Sequence, residues 1–309
     1  MFLKQPGRAR LRTGLTALLA ACAMVACGGG TSTVSTLVPS RFVAFGDGMA
    51  DLGQAGGTVY TVKDGSAFSF VQQLAASYGA SITAQSAGGQ GWARGNARIA
   101  LKPDAAGNAA TLTMAEQIDA FLASNTVGSD DVVVLSAGIS DMVVQGDALA
   151  AGTITADKAI ANIEAAGIAM GAQAKRIVAA GGKHVVVAGA YDLGKSPYAA
   201  ARGIAATLQA ATLKFNEALL VSLVNDGNNV LFVDFANRSN LFISSPASYS
   251  FVNATTPACT TPTANTCTPS TIVPGPGYDT YVFADDRYFT PAANRALGAL
   301  AYERVKARW

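Results

Sequence analysis

The chain has 309 residues, with 22 basic and 20 acidic side chains and a formal net charge of +2. This near-neutral balance, without a run of Lys or Arg beyond the N-terminal segment, argues against a nucleic-acid partner. Half of the residues are hydrophobic and many of these are Ala, which is enough for a sizeable core of closely packed helices.

The N-terminal segment has the pattern of an export signal. Four basic residues come first, and the apolar stretch 14–26 after them is too short to span a bilayer. The basic residues are Lys4, Arg8, Arg10 and Arg12. We therefore interpret residues 1–27 as a signal peptide, 28–40 as a flexible tether and 41–309 as the folded domain.

Two cysteines end this segment, and each follows a short stretch that resembles the bacterial lipoprotein box. Cys27 is the favoured lipidation site because three glycines and a Ser/Thr-rich stretch follow it as a tether. Cys22 is the alternative, since the residues before it match the box better. An ordinary cleaved signal with incidental cysteines is the third interpretation. The lipoprotein interpretation places the protein in the bacterial cell envelope, anchored to a membrane, in the periplasm or at the outer-membrane surface.

Apolar runs alternate with helical patterns along the domain. Buried strands are predicted at 41–45, 131–136, 184–189 and 230–235, and helices at 67–78, 114–124, 155–180, 199–224 and 291–306. Asp130-Asp131 is predicted to be a solvated turn. Continuous apolar strands alternating with helices indicate an α/β fold, a three-layer α/β/α sandwich on a short, flavodoxin-like parallel sheet.

Residues 237–279 are rich in Ser, Thr, Pro and Asn and are predicted to be a loop-rich insertion. Cys259 and Cys267 lie within it, and an exported protein would allow a local disulfide between them. A metal site is less expected, because no His and no second Cys pair lies nearby. We expect no metal and no cofactor elsewhere.

Four short segments contain the candidate functional residues of the chain. They are Phe45-Gly46-Asp47-Gly48-Met49-Ala50-Asp51, Gly91-Trp92-Ala93-Arg94-Gly95-Asn96-Ala97, Gly138-Ile139-Ser140-Asp141 and Phe283-Ala284-Asp285-Asp286-Arg287-Tyr288-Phe289-Thr290. In this order they resemble the four sequence blocks of the SGNH (GDSL) hydrolases, over roughly residues 41–305. The resemblance implies the α/β/α fold and an ester-hydrolase ancestry.

The residues that such a hydrolase needs for catalysis are replaced. The resemblance assigns the nucleophile to Gly48, which has no side chain to acylate, and the general base to Tyr288, a poor base near neutral pH. Its oxyanion donors correspond to Asn96, beside Gly95, and to Ser140. Asp285 matches the carboxylate that would orient the base.

The histidine content supports the same conclusion. The chain has one histidine, His184, which directly precedes an apolar strand and is therefore expected at the amino end of the sheet. In parallel α/β sheets the functional site lies at the carboxyl ends of the strands. A standard Ser-His-Asp esterase is therefore excluded.

The serine, the acid pairs and the tryptophan of these segments each have a chemical and a structural interpretation. Ser140 beside Asp141 could act as a substitute nucleophile, and the acid pairs Asp47/Asp51 and Asp285/Asp286 could act as acid and base. For the acid pairs, turn formation, helix capping and solvent exposure are the preferred interpretations. Trp92 is equally compatible with a pocket wall and with core packing.

Two hypotheses follow. The first is a catalytically inactive envelope lipoprotein that binds an acylated ligand, a carbohydrate or an envelope protein in its cleft. The cleft residues would be Asp47, Gly48, Gly95, Asn96, Ser140 and Tyr288. The second is an esterase that uses Ser140, or a water held by Asp285 and Tyr288.

Overall fold

A computed structural model of the protein describes residues 1–2, 37–66 and 69–309. Both candidate lipidation sites, Cys22 and Cys27, and almost all of the predicted signal peptide lie outside the described residues. Within the described part of the chain, no helix is both long enough and apolar enough to cross a membrane. The elements below all belong to the unit Ser35–Trp309.

Four strands form a parallel sheet in the order β1-β2-β3-β4. They are β1 (Arg41–Gly46), β2 (Asp131–Ser136), β3 (His184–Ala188) and β4 (Val230–Val233). The register pairs Val43 with Val133, and Val133 with Val185. Every residue of β2 is buried, as expected for a strand that is covered on both faces. The predicted parallel sheet is confirmed.

The chain next to β1 extends this sheet beyond its edge. The Ala44 N–H donates to the carbonyl of Gln90 at 3.0 Å, and the Ala44 carbonyl accepts from Trp92 N at 2.7 Å. Further along, Arg94 N–H donates to the Gly46 carbonyl at 3.1 Å. Residues 90–94 thus run beside β1 on the side opposite β2. The chain passes from β1 to residues 90–94 on one side of it and later to β2 on the other side, while all these segments run parallel. Such a switch point opens a crevice at the carboxyl ends of the strands.

Eight helices are present in the described part of the chain. They are α1 (Phe70–Ser77), α2 (Met114–Leu122), α3 (Ile139–Ala150), α4 (Ala156–Ala179), α5 (Pro197–Ala201), α6 (Ala205–Ser222), α7 (Phe235–Ser244) and α8 (Pro291–Arg308). The predicted start of α4 is confirmed, since the Thr155 hydroxyl caps it by accepting from Lys158 N.

Two phenylalanines of β1 show that helices cover both faces of the sheet. Phe42 and Phe45 are three residues apart, so their side chains project to opposite faces. The Phe42 ring lies 6.0 Å from that of Tyr78 at the end of α1, and Tyr78 contacts Tyr302 of α8. The Phe45 ring packs edge-on against Phe121 of α2, at 5.4 Å. The fold is therefore a three-layer α/β/α arrangement.

Three helical regions differ from the prediction. The single helix expected over 199–224 is interrupted at Gly203, where φ is +68°, and becomes α5 and α6. Helix α3 was not predicted. Part of the expected loop-rich insertion is helical, because the Asp234 carboxylate caps α7 by accepting from Asn237 N.

The rest of the insertion is irregular and docks on the domain. Cys259 and Cys267 are joined as a disulfide with Cα atoms 5.9 Å apart, so the structure brings together the pair expected from the sequence. The Cys267 carbonyl accepts from Lys63 N at 2.9 Å. Between the cysteines, Ala264 N–H donates to the Asp285 carboxylate at 2.7 Å. The disulfide loop therefore rests against the segment that carries Asp285 and Tyr288.

The prediction of a solvated Asp130-Asp131 turn is wrong for Asp131, which is 2% exposed. Its carboxylate accepts from the Ser40 hydroxyl, from the Arg41 guanidinium and from Gly128 N at 2.7 Å. Asp131 begins β2, so these bonds join the entrance of β1 to the turn before β2. A buried carboxylate is tolerated here because a cation and several donors surround it.

Replacing Asp131 by Ala should lower the free energy of unfolding by about 1–3 kcal/mol, because the Gly128 N–H and the Arg41 guanidinium lose their acceptor. The neighbouring Asp130 is exposed and provides the matched control. Asp130→Ala should change the stability by less than about 0.5 kcal/mol in the same urea titration. Equal effects of the two substitutions would contradict the structural role of Asp131.

Candidate functional site

The loops that follow β1 and β2 meet at the carboxyl edge of the sheet. Asp47 directly follows β1, is fully buried, and holds both loops. One of its carboxylate oxygens accepts from Met49 N at 3.1 Å and the other from Ser140 N at 3.3 Å. Its own N–H donates to the Ser136 carbonyl. Asp47 therefore fixes the positions of Gly48 and Ser140 relative to one another.

Tyr288 occupies the space above Gly48. A Cβ atom built on Gly48 would lie 2.7 Å from the Tyr288 hydroxyl and 2.8 Å from two of its ring carbons. Real Cβ atoms do not approach other atoms this closely. The Tyr288 side chain is 4% exposed. The position that the resemblance assigns to a nucleophile is therefore filled by the side chain that stands at the position of the base.

A second tyrosine, Tyr60, completes this arrangement and was missed in the sequence. Its ring centroid lies 5.0 Å from that of Tyr288, and its hydroxyl accepts from the Asn96 side-chain amide at 3.3 Å. It also covers Gly95, where an added Cβ would lie 1.9 Å from the ring. Burial, and then the charge of Asp51, raise the pKa of Tyr60 to about 12. Nothing in the loop around Tyr60 has a period that would have marked it.

Asn96 adopts the left-handed backbone conformation, with φ of 61°. This region is favoured by Gly, and among other residues it is tolerated best by Asn and Asp. The resemblance assigns a Gly to this position, so the backbone geometry of that Gly is retained. Asn96 differs from Gly by its side chain, which binds Tyr60.

Asp285 lies in a turn, and its carboxylate accepts hydrogen bonds from backbone N–H groups. One oxygen accepts from Arg287 N at 2.9 Å and from Tyr288 N at 2.6 Å, and the other accepts from Ala264 N at 2.7 Å. Burial raises the pKa of Asp285, and these amide donors counteract the rise. The carboxylate therefore holds the turn that presents Tyr288.

Tyr288 has no basic character at this position. Burial raises the pKa of its phenol well above the usual value, and the negative charge of Asp47 contributes to the rise. A phenol that stays protonated at all physiological pH values cannot accept a proton from a nucleophile.

Ser140 lies in the first turn of α3 and is 1% exposed. Its hydroxyl is buried without a hydrogen-bond partner in the described part of the chain. The nearest acid, Asp47, binds the backbone N–H of Ser140. Burial is the main cause that raises the pKa of Asp47 to about 7, and the adjacent Asp141 adds to it. A carboxyl group with this pKa beside an unpartnered hydroxyl is the one feature that resembles an activated serine.

The remaining acids of the motifs serve structural contacts. Asp51 accepts from Gly53 N, Gln54 N and Gly95 N. Asp141 forms a buried ion pair with Arg98 at 3.0 Å. Asp51 therefore has a structural role, but its carboxylate is buried and binds loop N–H groups, so the expectation that it caps a helix or faces water is wrong.

His184 lies at the amino end of β3, as predicted, and opposite Val132 in β2. Its ring packs on Trp309, with centroids 4.9 Å apart, and burial lowers its pKa. The imidazole is therefore at the end of the sheet away from Gly48 and Ser140. Trp92 belongs to the core, since its ring is buried and packs edge-on against Phe121 at 5.9 Å.

An open cavity lies beside the tyrosines rather than at Gly48. Gly48 borders a space of only about 10 Å³. On the other side of Tyr60 a cavity of about 430 Å³ opens, and Gly95 is the one expected cleft residue among those that line it. The lining is Asp51, Gln54, Ala55, Tyr60, Arg94, Gly95, Asn108, Ala110, Thr111 and Leu112. Of the six predicted cleft residues, Gly48 thus borders a closed space and Gly95 borders the open cavity, and Tyr60 lines both spaces.

The described residues contain no group of three or more His, Cys, Asp or Glu side chains arranged to hold a metal ion. In comparisons with known proteins, no family model matches the chain and no curated protein matches it. The resemblance to the SGNH hydrolases therefore rests on the four sequence blocks alone.

The stability of the protein should fall as pH rises from about 4 to about 7, in part because of Asp47. Its pKa in the folded protein is about 7, above the usual value of 3.8, so over this interval the folded protein holds a proton that the unfolded chain has lost. Relative to Asp47→Asn, the wild-type protein should lose about 2–4 kcal/mol between these pH values. Urea titrations of both proteins at several pH values measure this change. A difference that does not vary with pH would contradict it.

The contact between Gly48 and Tyr288 predicts strong coupling between substitutions. Gly48→Ala should cost about 1–3 kcal/mol in the wild type, because the new methyl group overlaps the ring. In a Tyr288→Leu background the same change should cost less than about 0.5 kcal/mol, which a double-mutant cycle by urea unfolding measures. Gly227 has open space around its Cα, so Gly227→Ala is the control and should be near neutral. Additive effects of the two substitutions would show that the ring does not occupy this space.

Proposed function

We propose that the protein is a non-catalytic relative of the SGNH hydrolases that binds a ligand in the cavity beside its former catalytic centre. The observation that carries this proposal is the packing of the Tyr288 ring against the bare Cα of Gly48. The positions of nucleophile and base have changed together, and the two new residues fit one another. A side chain at position 48 would overlap the Tyr288 ring, so Tyr288 fits here because position 48 is a glycine.

The state of the neighbouring acids supports the same proposal. Both carboxylate oxygens of Asp285 accept hydrogen bonds, from three backbone N–H groups in total, and the phenol of Tyr288 remains protonated. No imidazole lies near this centre, because the only histidine of the chain is at the other end of the sheet. A general base for acyl transfer is therefore missing from the centre in the described part of the chain.

We further propose that the protein is an exported lipoprotein of the bacterial envelope, which places the binding cavity outside the cytoplasm. Support comes from the basic and apolar pattern of residues 1–27 and from the cysteines at its end. The disulfide geometry of Cys259 and Cys267 agrees with an oxidising compartment. The ligand would be an acylated compound, a carbohydrate or an envelope protein.

One observation favours a second function, hydrolysis of an ester by Ser140. Its hydroxyl has no partner, and Asp47 beside it has a pKa of about 7. Against this function, Ser140 is 1% exposed and the carboxylate binds its backbone rather than its hydroxyl. An ester could reach the buried Ser140 hydroxyl only after neighbouring groups had moved.

Hydrolysis of a p-nitrophenyl ester discriminates between the two functions. We expect no turnover above the buffer rate for the wild-type protein, and turnover for the Gly48→Ser/Tyr288→His double variant if the oxyanion donors are still in place. The double variant restores a nucleophile and a base while it removes the overlap at Gly48.

Turnover by the wild-type protein that Ser140→Ala abolishes would overturn the non-catalytic proposal. Turnover that Asp285→Asn abolishes would do the same in favour of an activated water. Ser124 is outside this centre, so Ser124→Ala serves as the matched control and should behave as the wild type.

A further inference from the structure

The side chains that line the cavity of about 430 Å³ beside Tyr60 differ in whether their hydrogen-bonding groups already have partners. Its side-chain acceptors are already used within the protein. The Asp51 carboxylate receives three backbone N–H groups, as described above. The Gln54 carbonyl accepts from Ser86 N, and the Asn108 carbonyl accepts from Ala110 N. A ligand that approaches this surface therefore finds few free side-chain acceptors.

Three of its side-chain donors, in contrast, have no acceptor, although Gln54 Nε2 donates to the Gly91 carbonyl and the Thr111 hydroxyl to Asp104. The Arg94 Nε is buried and has no hydrogen-bond partner in the described part of the chain. Among the ion pairs of these residues, none includes Arg94. The Asn108 side-chain N–H₂ group and the Tyr60 hydroxyl proton also have no acceptor within the described residues, whereas the Tyr60 oxygen already accepts from Asn96. Three donors without an acceptor thus border the cavity, and one of them carries a full positive charge.

Arg94 is half-buried, and its buried Nε–H is costly without an acceptor unless a ligand supplies one. Its planar fork matches the two oxygens of a carboxylate, which it binds through two parallel N–H···O bonds. The charge of the cavity limits the ligand further. Arg94 is the one cation of the lining, and Asp51 stands in the same wall. Because Asp51 repels any negative charge on the ligand, the lining favours a monoanion over a dianion such as a phosphate monoester.

We propose that this cavity binds a ligand through a single carboxylate group, which the Arg94 guanidinium holds and which Asn108 and Tyr60 flank. The inference rests on the proposed binding role and names the chemical class of its ligand. The volume leaves room beyond the carboxylate for a group about the size of one sugar ring or a short acyl chain.

Acetate is a suitable probe, because it carries the carboxylate and is small enough to enter whatever the shape of the natural ligand. The full-length protein labelled with ¹⁵N is titrated with sodium acetate, and with sodium chloride at equal ionic strength. We expect the Arg94 Nε–H and Asn108 side-chain resonances to shift with acetate, with saturation in the range of about 1–10 mM. Chloride should leave both resonances in place.

Substitutions of Arg94 test whether this residue causes the acetate response. Arg94→Gln should weaken the acetate response of the Asn108 resonance by about 10- to 100-fold, and Arg94→Lys should weaken it less, since the charge remains but the fork is lost. Arg304 is exposed and outside the cavity, and Arg304→Gln makes the same change in net charge, so it should not alter the response. A response that does not saturate, that chloride reproduces, or that Arg304→Gln weakens as much as Arg94→Gln would overturn the proposal.

The result separates this inference from the proposed function. Ester turnover through Ser140 together with a saturable acetate response would remove the non-catalytic role and leave the Arg94 site. Absence of turnover together with absence of an acetate response would leave the non-catalytic role and overturn the Arg94 site.

Discussion

The contact between the Tyr288 ring and the Cα of Gly48 is the constraint on which the carboxyl edge of the sheet depends. It requires a residue without a side chain after β1, and it requires the turn of Asp285 to hold Tyr288 at this depth. Tyr60 then packs against Tyr288 and over Gly95. The two rings close the centre where the resemblance places acyl transfer, and they leave the space on the far side of Tyr60 open.

Buried carboxylates around this centre act as scaffolding. Asp47, Asp51 and Asp285 each bind backbone N–H groups of loops that the sheet does not hold. Burial raises the pKa of all three, so each carboxylate is ionised only at the cost of desolvation. The same geometry would suit a catalytic centre, where loops must be rigid. In this chain the centre that these carboxylates hold contains Gly48 and Tyr288 at the positions to which the resemblance assigns the nucleophile and the base.

Much of the fold could be predicted from the sequence, because its strands are continuous apolar runs and its long helix α4 has a clear cap at Thr155. Helix α3 escaped prediction because it begins at Gly138 without a side-chain cap, and its first five residues are buried, so no amphipathic stripe marks it. Helix α7 is rich in Asn and Ser, which are weak helix formers, and it depends on the cap at Asp234. In α3 burial overrides the local preference, whereas in α7 a local cap compensates for it.

The site was predicted in part. The motifs correctly brought Asp47, Gly48 and Ser140 to one end of the sheet, since the carboxyl ends of parallel strands share an edge. Tyr60 and Arg94 could not be recognised, because their importance comes from a ring contact and an unpaired guanidinium. The expected open cleft at Gly48 is instead a space of about 10 Å³, because the Tyr288 side chain lies against Gly48.

The most direct test of the account is the intact mass of the protein after incubation with a fluorophosphonate, which modifies activated serines. The account predicts an unchanged mass for the wild-type protein, because the Asp47 carboxylate binds the backbone N–H of Ser140 rather than its hydroxyl and Ser140 is buried. A stoichiometric adduct that maps to Ser140 would contradict it and would make this chain a hydrolase with an unusual nucleophile.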